Sequence, residues 1–302
     1  VVSRAQAAPG WRVLQTLRPP FLLLVPACLS LSGSLAVFLG HRVAAVDLWL
    51  LLIGALAAHA AVNVLNELQD FASGLDYQTR RTPFSGGSGT LPEHPELAAS
   101  ARGLLAICLL FVVLTGAWFL WRRGPALLPL GLAGLGIILL YTRYLTGQPL
   151  LCLLAPGAGF GLLMVNGGFF ALTGEFHWLV AWVSLMPLCL VSNLLLINQF
   201  PDREADAAVG RRHILVACGP RIGAAVFVGL QVLAWVPLLL GLLLGRLPAW
   251  TGLALAVLPL ALCAARGALQ HDREPAQLLP YMGLHVAATL LAPLLLSAGL
   301  LI

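Results

Sequence analysis

The sequence predicts an all-α, polytopic membrane protein with about nine transmembrane helices, and three observations carry that prediction. Of 302 residues, 60% are hydrophobic and 10% charged, against about 25% charged in soluble globular domains. Apolar runs of about 20 residues recur along the whole chain, each enough to cross roughly 30 Å of hydrocarbon. The arginines also divide unevenly between alternate connections, as the positive-inside rule requires.

The first span, 20–40, is a full crossing rather than the short apolar core of a signal peptide, and Cys28 after Val25-Pro26-Ala27 matches a lipoprotein box poorly. The second, 45–67, runs into "NVLNELQD", where amides and acids replace aliphatic side chains. Spans 100–121, 125–141 and 150–172 follow, and the sixth, 178–199, runs into "NQFPDREAD". Spans 220–244, 248–267 and 279–302 complete a single transmembrane domain, 1–302. With the N-terminus cytoplasmic, 13 of the 17 arginines fall on the cytoplasmic side: Arg4, Arg12, Arg18, Arg80, Arg81, Arg102, Arg143, Arg203, Arg211, Arg212, Arg221, Arg266 and Arg273. Only Arg42, Arg122, Arg123 and Arg246 fall on the other. That bias supports both the span count and the orientation.

Seventeen basic residues against 12 acidic ones give a basic protein, but cytoplasmic loops of membrane proteins collect positive charge as a rule. No basic cluster is interleaved with aromatics, so a nucleic-acid partner is not expected. Every basic residue is arginine, which reflects a GC-rich genome more simply than it reflects chemistry. Six cysteines are scattered singly, without CxxC or Cys/His spacing, so neither a disulfide framework nor a zinc site is expected. Trp11, Trp118, Trp121 and Trp178 read as interfacial belt residues.

Half of the 12 acids gather in two places. Glu67, Asp70 and Asp76 follow the second span; Asp202, Glu204 and Asp206 follow the sixth. On a helix, Asn63, Asn66, Glu67 and Asp70 share one face, and Asn198, Asp202 and Asp206 nearly share another. Solvated acids at helix exits are the plain alternative, and the right reading for Glu93, Glu96, Asp272 and Glu274. For the two clusters it is weaker, because a carboxylate costs roughly 2.5–3.5 kcal/mol at bilayer depth and like charges on one face repel. A divalent cation removes that repulsion, and carboxylate and amide oxygens without His or Cys suit Mg²⁺. Such an ion usually shares its shell with substrate phosphates. Arg80 and Arg81 lie beside the first cluster, Arg203, Arg211 and Arg212 beside the second, and Arg143 follows the fourth span on the same side; guanidinium forks match phosphate geometry.

The run Asn63, Asn66, Glu67, Asp70, Gly74, Asp76 resembles the first Asp-rich motif of the UbiA superfamily of intramembrane prenyltransferases, and Asn198, Asp202, Asp206, Gly210 resembles the second. The two motifs follow the second and sixth of nine spans, as in that family. Its G-x-D ending and the following "SGGSG" are closest to the menaquinone branch, which prenylates dihydroxynaphthoate. Three departures stand out: Glu67 where that branch usually has Asp, "RRH" at 211–213, and Phe160 where a G-x-G-E motif would place its acid. The resemblance implies helices surrounding a central cavity. It implies Mg²⁺ held by Asn66, Asp70, Asp76, Asn198, Asp202 and Asp206, with Arg81, Arg143, Arg211, Arg212, Asn63 and Glu67 around the diphosphate or substrate. It implies a catalytic set of Asp70, Asp76, Asp202, Asp206 and Tyr141. The partners it implies are an isoprenyl diphosphate, a lipophilic aromatic acceptor and membrane lipid. The setting is the bacterial cytoplasmic membrane, with the Asp-rich loops on the cytoplasmic side.

His59, one turn before Asn63, either contacts substrate or supports the metal ligands; Asn166 and His285 are further polar residues at lipid depth. Two other functions share features with this reading. A membrane terpene cyclase keeps the diphosphate chemistry without a separate acceptor. A transporter also places acids in membrane helices, but near the bilayer midplane, whereas these lie at helix ends.

Overall fold

The structure, a computed structural model, describes residues 9–302; Arg4, counted in the arginine bias, lies outside them. Among the described residues, eight helices are long and apolar enough to cross a membrane. In chain order they are α1 (Pro19–Phe38), α2 (Ala45–Ser73), α3 (Pro95–Arg123), α5 (Pro149–Thr173), α6 (Trp178–Ala208), α7 (Pro220–Leu243), α8 (Ala249–Gln270) and α9 (Pro275–Leu301). A shorter apolar helix, α4 (Pro125–Leu140), lies between α3 and α5 and makes the ninth. No strand occurs among the described residues, so the chain is an all-α polytopic membrane protein.

Two helices run further than the hydropathy predicts. The second span ends near 67 by sequence, but α2 continues to Ser73; the sixth ends near 199, but α6 continues to Ala208. Hydropathy reports where lipid ends, not where the helix ends: backbone bonding continues while polar side chains share one face. Glu67 and Asp70 of the first cluster and all three acids of the second therefore ride on rigid helix, while Asp76 follows the end of α2.

The spans pack around α6, which contacts α5, α7 and α9 along its length. Leu31, Phe169, Met186, Leu190, Trp235 and Leu296 belong to one continuous core that joins α1, α5, α6, α7 and α9. Leu110, Phe111, Val113 and Leu114 of α3 face outward, as lipid-facing residues do. The middle of α5 is π-helical over Ala158–Asn166, a wide turn often found at functional sites.

Glycines bring α5 onto α6. A Cβ on Gly161 would lie 2.7 Å from both Leu188 Cα and the Ser184 carbonyl, and one on Gly157 would strike the Leu188 carbonyl. Small residues four apart allow such backbone approach inside a bilayer. Gly161→Val should cost about 3 kcal/mol by overpacking. Thermal denaturation in detergent should therefore show a clear loss of stability, and an unchanged midpoint would mean that α5 is not seated so closely.

The two ends of the bundle differ. At the start of α2, Asp47 is buried and meets Arg122 at 3.2 Å and Arg123 at 3.3 Å. Arg123 also donates to the Ala171 carbonyl at 2.8 Å, tying α3 to the end of α5. The other end of α2, about 35 Å away at about 1.5 Å per residue, carries Asp70.

Candidate active site

Three features of the chain aim the acids inward. The buried face of α2 presents His59, Asn63, Glu67 and Asp70. Gly74, at φ 79, ends α2 in the left-handed conformation that glycine adopts without strain. The chain then folds back through the single turn Leu75–Tyr77, which buries Asp76. Gly210, at φ 84, turns the chain after α6 in the same way and returns Arg211 toward Asp206.

Both clusters contribute to one cavity of about 320 Å³, which neither Glu67 nor the exposed Glu204 lines. Its polar end holds Asn66, Asp70, Asp76, Asn198, Asp202 and Asp206, so the helix ends bring together all six residues that the motif resemblance nominates as metal ligands. Arg211 joins the two halves: one guanidinium nitrogen contacts Asp70 and the other donates to Asp206 Oδ1 at 2.9 Å. Burial works against its charge, but Asp70 and Asp206 outweigh that and hold its pKa above the usual guanidinium value. His213, fully enclosed, lies 3.1 Å from Asp206 Oδ2. Leucine, isoleucine and methionine side chains from α1, α4, α5 and α6 form apolar walls of the same cavity, among them Leu24, Ile138, Met164 and Leu195.

Other nominated residues are placed as follows. Asn63 lines the cavity and donates to the Leu17 carbonyl at 2.8 Å. Tyr141 lines it with its hydroxyl 3.8 Å from Cys152 Sγ, which also receives Gln199 Nε2 at 3.3 Å. Phe160 lines it too, edge-on to His59 with ring centroids 4.8 Å apart. Glu67 does not line it: the carboxylate is fully buried and receives Arg18 Nε, the Ser88 amide and the Ser88 hydroxyl, each at 2.7 Å. Arg81 pairs with Glu93 at 2.7 Å, outside the cavity. Arg143 is exposed over the Tyr144 ring, in a recess behind Asp70 and Arg211. Arg212 is exposed, and its amide donates to the Thr146 carbonyl at 2.9 Å.

Two further contributors complete the site, one without a signal in sequence and one whose Ser-Gly run the motif resemblance includes. Arg18 lines the cavity, donating to Glu67 and, at 3.1 Å, to Asn66 Oδ1. It is the one non-glycine residue with positive φ, at 50°, among the described residues. Such strain persists only where surrounding contacts over-determine it, and that is its signal in the structure. A lone arginine before Pro-Pro carries no such signal in sequence. The second is the segment Thr82–Gly89, which spans the mouth. Ser88 binds Glu67 in the first cluster, while Ser85 and Gly86 line the cavity with Asp202 of the second. A Cβ on Gly87 would come within 3.1 Å of Asp76 Oδ1 and 3.2 Å of Glu67 Oε1, so the backbone passes close over the acids.

The donor set fits a hard divalent cation. Asp76 Oδ2, Asn198 Oδ1 and Asp202 Oδ1 are enclosed and have no hydrogen-bond partner among the described residues. Buried oxygens normally find one. Burial, then the charges of Glu67 and Asp70, push the Asp76 carboxyl up to about 7, a shift that a bound cation would reverse. Among the described residues no three His, Cys, Asp or Glu side chains converge as a closed cage. An open set of oxygens suits an ion that completes its shell with water and phosphate.

A membrane-embedded helical bundle with paired acid clusters at the mouth of an apolar cavity defines the class of intramembrane prenyltransferases. The model of the UbiA prenyltransferase family matches residues 23–292, so the chain belongs to that family. It is similar to a 2-carboxy-1,4-naphthoquinone phytyltransferase of Synechocystis, at 23% identity over 97% of this chain and 94% of that one. It is also similar to a 1,4-dihydroxy-2-naphthoate octaprenyltransferase of Bacillus subtilis, at 26% identity over 85% and 83%. Among solved structures, digeranylgeranylglyceryl phosphate synthase shares the fold with a TM-score of 0.65 at 16% identity, covering 96% of this chain and 98% of that one. A UbiA homolog from Archaeoglobus fulgidus bound to DMAPP and Mg²⁺ shares it with a TM-score of 0.55 at 16% identity, covering 95% and 99%.

Proposed function

We propose that this prenyltransferase uses Mg²⁺ to transfer a prenyl group from an isoprenyl diphosphate to a dihydroxynaphthoate-like quinone precursor. The observation that carries this reading is the set of unpaired oxygens of Asp76, Asn198 and Asp202 in one cavity. Two relatives whose names specify naphthoquinone-type acceptors support the acceptor class. The cytoplasmic face of a bacterial membrane remains the proposed location for the Asp-rich end, on the arginine bias.

Asn66, Asp70 and Asp76 on one side and Asn198, Asp202 and Asp206 on the other would hold Mg²⁺. Bound there, the ion supplies Lewis-acid stabilisation of charge on the departing diphosphate. Arg211 and Arg18 add guanidinium forks at the same level, where they can share that charge. The apolar walls receive the prenyl chain and exclude water from the allylic carbon as its C–O bond breaks. Tyr141 lines the same cavity, its hydroxyl beside Cys152 Sγ. The acceptor's ring carbon then forms the new bond and loses its proton, and diphosphate leaves toward the mouth.

Purified protein with Mg²⁺ and geranylgeranyl diphosphate should form prenylated product only when dihydroxynaphthoate is added. A cyclised hydrocarbon formed without acceptor would instead favour a terpene cyclase. No diphosphate release under either condition would contradict the reading as a whole.

Asp76 also predicts a pH dependence. Its pKa rises from 3.8 to about 7 on folding, so the unfolded chain holds fewer protons between those values and stability without metal falls as pH rises through that window. Mg²⁺ requires the ionised form and stabilises more as pH rises. The Mg²⁺-induced gain in melting temperature should therefore be larger at pH 8 than at pH 5.5, and an equal gain would remove Asp76 from the site.

A further inference from the structure

Beyond the clusters, the cavity wall carries a polar side chain that neither the diphosphate chemistry nor a neighbouring group engages. His59 is 7% exposed, lines the cavity from α2, and has no hydrogen-bond partner for Nδ1 among the described residues. The ring stands edge-on to Phe160. Ala58, Val62, Leu163 and Met164 line the cavity with it. An uncharged imidazole carries one donor and one acceptor, and leaving them unpaired in an apolar wall is costly unless a ligand completes them.

The other polar groups along this wall are already engaged. Asn63 donates to the Leu17 carbonyl, Asn66 is bonded by Arg18 and donates to Thr142, and Tyr141, Cys152 and Gln199 face one another. Distance separates His59 from the diphosphate. Seven residues of helix put it about 10 Å below Asn66, and eleven put it about 16 Å below Asp70. A fused two-ring aromatic, with its ring oxygens, fills a gap of about that length.

We infer that His59 is the acceptor-recognition residue, hydrogen-bonding a hydroxyl or keto oxygen on the far side of the aromatic acceptor's ring while Phe160 packs edge-on beside it. The inference rests on the cavity being the acceptor site of the proposed reaction and adds the group that reads the acceptor. It also gives Phe160 a part: an acid there would compete for the imidazole, whereas the phenyl ring leaves it free for a ligand.

The test is equilibrium binding to the purified protein, with 4-hydroxy-2-naphthoate and 2-naphthoate as probes. The wild type should bind the hydroxylated ring about tenfold more tightly, the ordinary effect of one buried hydrogen bond. His59→Phe should abolish that difference, and His59→Gln, which keeps a donor and an acceptor, should restore part of it. Binding of geranylgeranyl diphosphate with Mg²⁺ should change less than about twofold in either variant, which separates recognition from a general loss of structure. The inference is overturned if the wild type does not distinguish the two rings, if discrimination survives His59→Phe, or if diphosphate binding falls in parallel. Binding is read without turnover. Discrimination in a protein that transfers no prenyl group would therefore count against the proposed reaction and leave His59 as the group that reads the ring oxygen.

Discussion

Asp202→Asn is expected to lower kcat by about 100- to 1,000-fold, the usual effect of removing one charge stabiliser from a preorganised site. Asp202 has the clearest claim among the six oxygen-bearing residues. One of its oxygens faces Ser85 and Gly86 while Oδ1 is enclosed and unpaired. The amide keeps the volume and one oxygen but removes the charge that a cation needs. Because the carboxylate is not part of the packed core, the variant should express and insert normally. Raised Mg²⁺ concentration should recover part of the activity, since the remaining oxygens still offer a weaker site. Full turnover at ordinary Mg²⁺ concentrations would remove Asp202 from the metal set.

Glu67→Ala is expected to act through a different quantity. Glu67 is wholly buried and holds Arg18 at 2.6 Å together with the amide and hydroxyl of Ser88. Removing one partner of a buried ion pair typically costs about 3–5 kcal/mol. Arg18 keeps a partly exposed side chain, so the lower end of that range applies, about 3 kcal/mol. The segment Thr82–Gly89 should lose its anchor beside the first cluster, which limited proteolysis would report as faster cleavage there. The apparent affinity for Mg²⁺ should fall much less than in Asp202→Asn, because no Glu67 oxygen faces the cavity. A loss of Mg²⁺ affinity as large as that of Asp202→Asn, without a loss of stability, would make Glu67 a ligand.

The contrast between these two residues shows how far the sequence could be read. Helical spacing was enough to put Asn63, Asn66, Glu67 and Asp70 on one side of α2, because 3.6-residue periodicity is a property of the chain itself. Whether a given member of that side meets ion, substrate or another side chain depends on what packs opposite. For Glu67 the partner is Arg18, 49 residues away in sequence, a contact that no local pattern encodes. Arg81 and Arg143 illustrate the converse. One follows the first acidic motif in sequence and the other ends the fourth span on the same side of the membrane, yet Arg81 turns to Glu93 and Arg143 lies over Tyr144. Proximity along the chain does not fix which way a long side chain points. The lengths of α2 and α6 were underestimated for a related reason: hydropathy falls where the polar cavity begins, while the helix goes on. The nine helices themselves were legible, since an apolar run of bilayer length has few alternatives.

The central claim is that the two acid clusters form one divided site for metal and diphosphate. Its most direct test is a structure with Mn²⁺ in place of Mg²⁺ and an unreactive thiolo analogue of geranylgeranyl diphosphate, with the metal located by anomalous scattering. The account predicts metal density between Asp70 and Asp76 on one side and Asp202 and Asp206 on the other, with the diphosphate beside Arg211 and the prenyl chain among the apolar walls of the cavity. Metal bound only at exposed acids such as Glu96 or Glu274, or a prenyl chain lying outside the cavity, would contradict it.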